Sequence, residues 1–341
     1  MIYDGRKFHY GAARSKDAQQ RPRLFLIAMT SPDLFSSTQP QLDWVTCPHP
    51  EGEHRMACWR WGKPDARHVV VCVHGLTRQG RDFDRLAQAL VAQSEASLQI
   101  ICPDVAGRGR SEWLKHASLY QLPQYAGDML AMLAQVQTQL GPERPIEQLD
   151  WVGTSMGGLI GMVLAGQAGL PLPAPIRRLV LNDVGPSITW QSVQRMQAFV
   201  GQYGQYQDLD EAAAALRNVS QGFGPVSADV WREMSAHMTR PGSEGRLTLH
   251  YDPAIGVPVR ALTQEAAAIA EVTLWGLYDQ IRARTLLIRG QDSDLLTSDT
   301  ALAMTQRGPR ACLDIWPGCG HAPTLTEDHQ ISVVAKFLLG D

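Results

Sequence analysis

Three kinds of residue in this chain could together activate a hydroxyl group. The stretch Gly-Thr-Ser-Met-Gly at 153–157 sets Ser155 between an apolar run at 149–152 and a segment with helical spacing. A serine on a sharp strand-to-helix turn projects its hydroxyl above the sheet edge, and the strained turn needs small neighbours, here Gly153 and Gly157. The start of the following helix also favours developing negative charge. Serine alone is a weak nucleophile, so a base must sit within hydrogen-bond reach, oriented by a carboxylate. Of the ten histidines, His321 has the context a base needs: the glycine-rich loop "GCGHAPTL" after an apolar run at 312–316. Candidate carboxylates are Asp292 and Asp294 in "RGQDSDLLT" (289–297) and Asp183 in "LNDVGP".

The negative charge that forms when such a serine attacks a carbonyl needs fixed donors. "VHGL" (73–76) ends an earlier apolar run, so the main-chain N–H groups of Leu76 and Met156 are the candidate oxyanion donors. His74 reads first as a buttress for this loop, with substrate contact as the other possibility. Arg78 and Asp82 are four residues apart, which suits a local ion pair. The alternative is that Arg78 lines a pocket mouth and meets a polar or anionic part of the substrate.

The elements that must hold these residues follow from periodicity. Strand patterns at 56–62, 68–75, 98–104, 149–154 and 176–185 alternate with helical patterns at 82–93, 122–140 and 156–168. That alternation predicts a parallel sheet covered on both faces. The rhythm breaks between 187 and 280, where several helices are expected, with Ser187 and Ser227 as N-caps. It resumes with a strand at 283–290, a helix at 298–306, a strand at 312–316 and a helix at 328–338. The expected organisation is a polar, poorly ordered extension at 1–41, an α/β core at 42–186 and 281–341, and a helical cap at 187–280 inserted before the last two strands. That insertion holds nine of the 24 aromatic residues, which suits either a small helical core or a lid over an apolar pocket.

Composition narrows the function. With 44% hydrophobic and 19% charged residues and a net charge of −3, the chain is an ordinary globular one, without the basic footprint of a nucleic-acid binder. No apolar run is long enough to span a bilayer, and the short "LFLIAM" after a basic stretch is a poor secretory signal. The six cysteines are scattered, without a C-x-x-C pair, which predicts a reduced cytoplasmic chain and argues against a structural zinc site. No metal or organic cofactor is implied.

Together these motifs resemble the α/β-hydrolase family over about residues 42–341, including "DVAGRGRS" (104–111), similar to the family's turn after the strand preceding the nucleophile strand. The resemblance implies a doubly wound, mostly parallel sheet and the chain order nucleophile, acid, base. It places the acid in the loop after strand 283–290. There the two leucines that follow Asp294 favour it over Asp292, and Asp183 is the alternative drawn from the preceding strand. The family's aspartate-nucleophile branches are disfavoured by serine at 155. Its carbon–carbon hydrolases are disfavoured by "HGLTRQG", where they typically show a more glycine-rich "HGxGPG"-like stretch. The expected activity is hydrolysis of a small, partly apolar carboxylic ester or lactone through an acyl-enzyme. A carbon–carbon hydrolase or perhydrolase on the same residues, or a non-catalytic ligand-binding relative, are the competing readings.

Overall fold

The structure is a computed structural model and describes residues 39–94, 98–202 and 204–340. The extension expected at 1–41 therefore lies outside the described residues except for its last three. Eight strands make the main sheet: β1 (Gln41–His49), β2 (Gly52–Gly62), β3 (His68–Val73), β4 (Leu98–Pro103), β5 (Gln148–Thr154), β6 (Ile176–Asn182), then β10 (Arg284–Gly290) and β11 (Cys312–Trp316). Their spatial order is β1-β2-β4-β3-β5-β6-β10-β11. The β1–β2 hairpin joins antiparallel, and every pair from β4 to β11 is parallel.

Strand β3 shows why this sheet needs cover on both sides. Val69, Val71 and Val73 enter one apolar cluster with α2 (Leu122–Leu140) and α3 (Met156–Gly166). Val70 and Cys72 enter the other, with α1 (Asp84–Gln93) and α10 (Asp328–Leu339). Side chains alternate across a strand, so a continuous apolar run is stable only when both faces are buried. Helix α2 starts with proline in its first turn and stops at Gly141, whose φ of 89° would strain any other residue. The β1–β2 hairpin is tied to α2 by buried polar contacts: His54 Nε2 and Asp128 Oδ2 lie 3.2 Å apart, and the Cys47 thiol lies 3.9 Å from the Asp128 carbonyl oxygen.

The segment between β6 and β10 holds α4 (Trp190–Phe199), α5 (Leu209–Val219), α6 (Ala228–Met238), α7 (Gly256–Ala261) and α8 (Gln264–Gln280). Beyond the expected helices it also holds three short antiparallel strands: β7 (Gln205–Tyr206), β8 (Thr239–Pro241) and β9 (Leu247–Leu249). Ser227 caps α6 by accepting from the Val230 N–H, as expected. The cap of α4 is Thr189 rather than Ser187, accepting from the Ser192 N–H. Helix α9 (Ser298–Gln306) precedes β11. All six cysteines are free thiols, and no described helix is long and apolar enough to cross a membrane.

Candidate active site

Strand β3 lies between β4 and β5, so the chain leaves it in opposite directions, and ligands in open α/β sheets gather at the carboxyl ends beside such a reversal. Ser155 stands there. It is the single residue between β5 and α3, with φ 53° and ψ −117°, a conformation non-glycine residues hold only under constraint from their surroundings. The constraint is steric. A Cβ on Gly157 would lie 2.0 Å from the Val73 carbonyl oxygen, so the turn packs directly against β3.

His321 Nε2 lies 2.9 Å from Ser155 Oγ, and its Nδ1 lies 2.8 Å from Asp183 Oδ2. An ionised carboxylate only accepts, so Nδ1 carries the ring proton and Nε2 is free to accept from the serine hydroxyl. Asp183 is fully buried at the end of β6 with φ 55°. Its Oδ1 accepts from the Gly290 N–H at 2.8 Å, and its Oδ2 also accepts from Ser293 Oγ at 2.6 Å.

The expectation that Asp294 or Asp292 orients the histidine is therefore corrected. Burial alternates along 292–295, with Asp292 and Asp294 exposed and Ser293 and Leu295 buried. The position facing inward is Ser293, which donates to Asp183. Asp294 Oδ1 pairs with Arg195 Nη2 at 2.8 Å, both side chains being about half exposed, and its carbonyl accepts from Thr189 and Ser192 at the start of α4. Asp292 contributes its main-chain N–H to the Cys319 carbonyl, steadying the loop that carries His321. The base loop has a second tie: the Gly320 N–H donates to the Gly222 carbonyl of the inserted segment at 2.7 Å.

Leu76 lines the cavity beside Ser155, and Met156 is the first residue of α3, whose N–H has no partner within its own helix. His74 is not a substrate contact. It is 1% exposed, and both ring nitrogens are used: Nδ1 donates to the Gly75 carbonyl at 2.7 Å and Nε2 accepts from the Val105 N–H at 2.9 Å. Burial pushes its pKa down to about 3, which keeps the ring neutral and both bonds intact. Arg78 combines the two roles considered for it. It pairs with Asp82 through Nε at 2.6 Å and Nη2 at 2.7 Å, and it also lines the cavity.

Arg108 lacked any sequence signal beyond its place in the glycine-rich turn. It is fully buried and donates to the carbonyls of Leu76 at 2.9 Å and Ala106 at 2.7 Å, and to the Tyr125 hydroxyl at 2.9 Å. Its Nη2 lies 3.6 Å from Met156 Sδ, so one side chain braces both candidate oxyanion residues. In the same turn Asp104 accepts from the N–H groups of Gly80 and Arg110 and from Trp59, as a loop-bonding aspartate should. Burial raises its pKa to about 6.

The sequence profile of the alpha/beta hydrolase fold matches residues 68–328. The chain belongs to the alpha/beta hydrolase family. This alpha/beta hydrolase is 43% identical to a 3-hydroxybutyrate-oligomer hydrolase of Cupriavidus necator over 307 residues, 89% of this chain and 99% of the relative. Among solved structures, an alpha/beta hydrolase from Novosphingobium aromaticivorans is 32% identical with a TM-score of 0.72, covering 88% of this chain and 98% of that one. A Rickettsia typhi protein reaches a TM-score of 0.74 at 25% identity, over 88% and 99% of the two chains.

Proposed function

We propose that this hydrolase cleaves carboxylic esters through an acyl-enzyme, with Ser155 as nucleophile, His321 as base and Asp183 as the orienting acid. The observation that carries the reading is the continuous relay from Ser155 Oγ through both nitrogens of His321 to Asp183 Oδ2, at 2.9 and 2.8 Å. His321 takes the Ser155 proton as Oγ attacks the carbonyl carbon, and the N–H groups of Leu76 and Met156 receive the charge on its oxygen. His321 then protonates the leaving alkoxide and afterwards draws a proton from water to release the acid. Segment 187–280 acts as a cap, supplying much of the wall of a cavity of about 280 Å³ beside Ser155.

For the substrate, the identity with the Cupriavidus necator enzyme extends over nearly its whole length, so short linear oligomers of 3-hydroxybutyrate are the natural esters we assign. The cavity wall is mostly apolar, including Met196, Val200, Leu216 and Leu249, which suits methyl-bearing hydroxyacyl units. The test is turnover of 3-hydroxybutyrate dimer and trimer beside p-nitrophenyl butyrate, with fluorophosphonate labelling of the wild type and Ser155→Ala. Labelling confined to the wild type, with loss of all ester turnover in the variant, is expected. A Ser155→Ala protein that keeps wild-type turnover refutes the assignment.

A further inference from the structure

The lining of the cavity beside Ser155 carries guanidinium groups that ester chemistry alone does not require. Two arginines, Arg78 and Arg195, are among its described lining residues, and no aspartate or glutamate is. Arg78 is the deeper, at 9% exposure, and three contacts fix it. Its N–H donates to the Gly75 carbonyl at 3.1 Å, its Nε and Nη2 grip Asp82, and its guanidinium lies 5.5 Å from the centre of the Phe223 ring. The grip on Asp82 leaves Nη1 outside the pair. The arginine stem flanks the nucleophile: a Cβ on Gly75 would lie 3.7 Å from both Arg78 Cγ and Ser155 Cβ. Arg195 stands further out, half exposed and paired to Asp294. A guanidinium already held in place loses little freedom on binding, and a partly desolvated one binds a carboxylate far better than a surface one.

We propose that Arg78, with Arg195 at the mouth, receives the free carboxylate end of the substrate, so that the preferred ester is a hydroxy-acid chain ending in an ionised carboxylate. The proposal rests on the reading of Ser155 as an ester-cleaving nucleophile. The chemistry of such chains then sets the direction of binding. In any oligomer of hydroxy acids, the carboxylate end lies on the alcohol side of every ester bond. When Ser155 Oγ bonds to the carbonyl carbon, the carbon–oxygen bond that breaks releases the piece that carries the carboxylate. The proton taken from Ser155 passes through His321 to the oxygen of that piece, which departs as a free hydroxy acid. The acyl group left on Ser155 carries the hydroxyl end and no carboxylate, and water then releases it. Arg78 therefore acts on acylation and not on the water step.

The test compares 3-hydroxybutyrate dimer with the same dimer capped as its primary amide, which is neutral and keeps a single ester bond. The quantity read is the ratio of their kcat/KM values. A charged hydrogen bond predicts a ratio of at least about tenfold in the wild type. The ratio should collapse towards one in Arg78→Met and fall partway in Arg195→Met. If Arg78→Met does not fold because Asp82 is left unpaired, the double variant Arg78→Met/Asp82→Asn carries the test. Equal rates on the two dimers in the wild type, or an undiminished ratio without Arg78, overturn the proposal. A wild type that turns over p-nitrophenyl butyrate but neither dimer overturns it too, while leaving the ester-hydrolase reading intact. A wild type inactive on all three sinks that underlying reading instead.

Discussion

Replacing Asp183 by asparagine separates the candidate acids most sharply. Its two oxygens face different partners: Oδ1 takes the Gly290 N–H at 2.8 Å, and Oδ2 takes Ser293 Oγ at 2.6 Å and His321 Nδ1 at 2.8 Å. An asparagine must put an NH₂ group at one of these places. At the first it meets a main-chain N–H, donor against donor in a fully buried site, which costs about 1–3 kcal/mol. At the second it donates to Ser293, whose hydroxyl can rotate, and to His321 Nδ1, which must then lose its proton. The second arrangement is the cheaper, and it moves the ring proton to Nε2, where it faces Ser155 and cannot accept the serine's proton. A wrong tautomer of this kind costs about 10⁴-fold in kcat, or about 5 kcal/mol of barrier. Asp294→Asn removes only an exposed ion pair worth about 0–1 kcal/mol, so turnover should stay within about fivefold of the wild type. The assay is p-nitrophenyl butyrate hydrolysis under saturation, with thermal melts to confirm that both variants are folded. A thousandfold loss in Asp294→Asn beside a near-normal Asp183→Asn would refute the reasoning.

Two further substitutions probe the frame of the site. His74, held near pKa 3 by burial, stays neutral in the fold while the unfolded chain takes up a proton below about 6.5, so its contribution to stability falls as pH drops between those values. Asp104, raised to about 6, acts in the opposite sense between about 4 and 6, so the two slopes oppose each other in the wild type. Urea unfolding of the wild type minus that of His74→Gln isolates the histidine, and the difference should grow by about 1.4 kcal/mol per pH unit from pH 4 to 6; a flat difference would sink the assignment. Arg108→Met leaves two buried acceptors and one partly buried acceptor unpaired and should cost at least about 2 kcal/mol in the same measurement. It should also lower kcat more than it raises KM, since it frees the Leu76 loop; an unchanged kcat in folded protein would contradict the bracing role.

Much of the fold was legible because its signals are local. Helix α2 and the segments at 298–306 and 312–316 match their expected bounds, each being a periodic run with clear stops. Strand β1 was not legible: it is an edge strand with exposed positions and Pro48 inside it, so it lacks the buried run that marks β3. The strands β7 to β9 are only two or three residues long, too short for periodicity to register, and β7 meets β9 only across a long gap. Within the site, Ser155 and His321 announce themselves by the glycines a strained turn and a close loop demand. The carboxylate beside His321 does not, because an aspartate at the end of either β6 or β10 is a candidate for that place, and only packing decides which. Here the burial alternation along 292–295 turns Ser293 inward, and the single-residue spacing of the two aspartates sends both outward.

The bond from Gly320 N–H to the Gly222 carbonyl latches segment 187–280 to the loop that carries His321. Ser220 and Phe223, on either side of residue 222, line the cavity, so a chain too bulky for it would press on this stretch and, through residue 222, on the loop one residue away from His321. Under the proposed mechanism size would thereby be converted into timing: an oversized ester would be bound with His321 out of register with Ser155. Selectivity against long chains should accordingly show in kcat, while KM changes little. Gating and catalysis would share one hinge, and loosening the latch would trade speed on short esters for admission of longer ones.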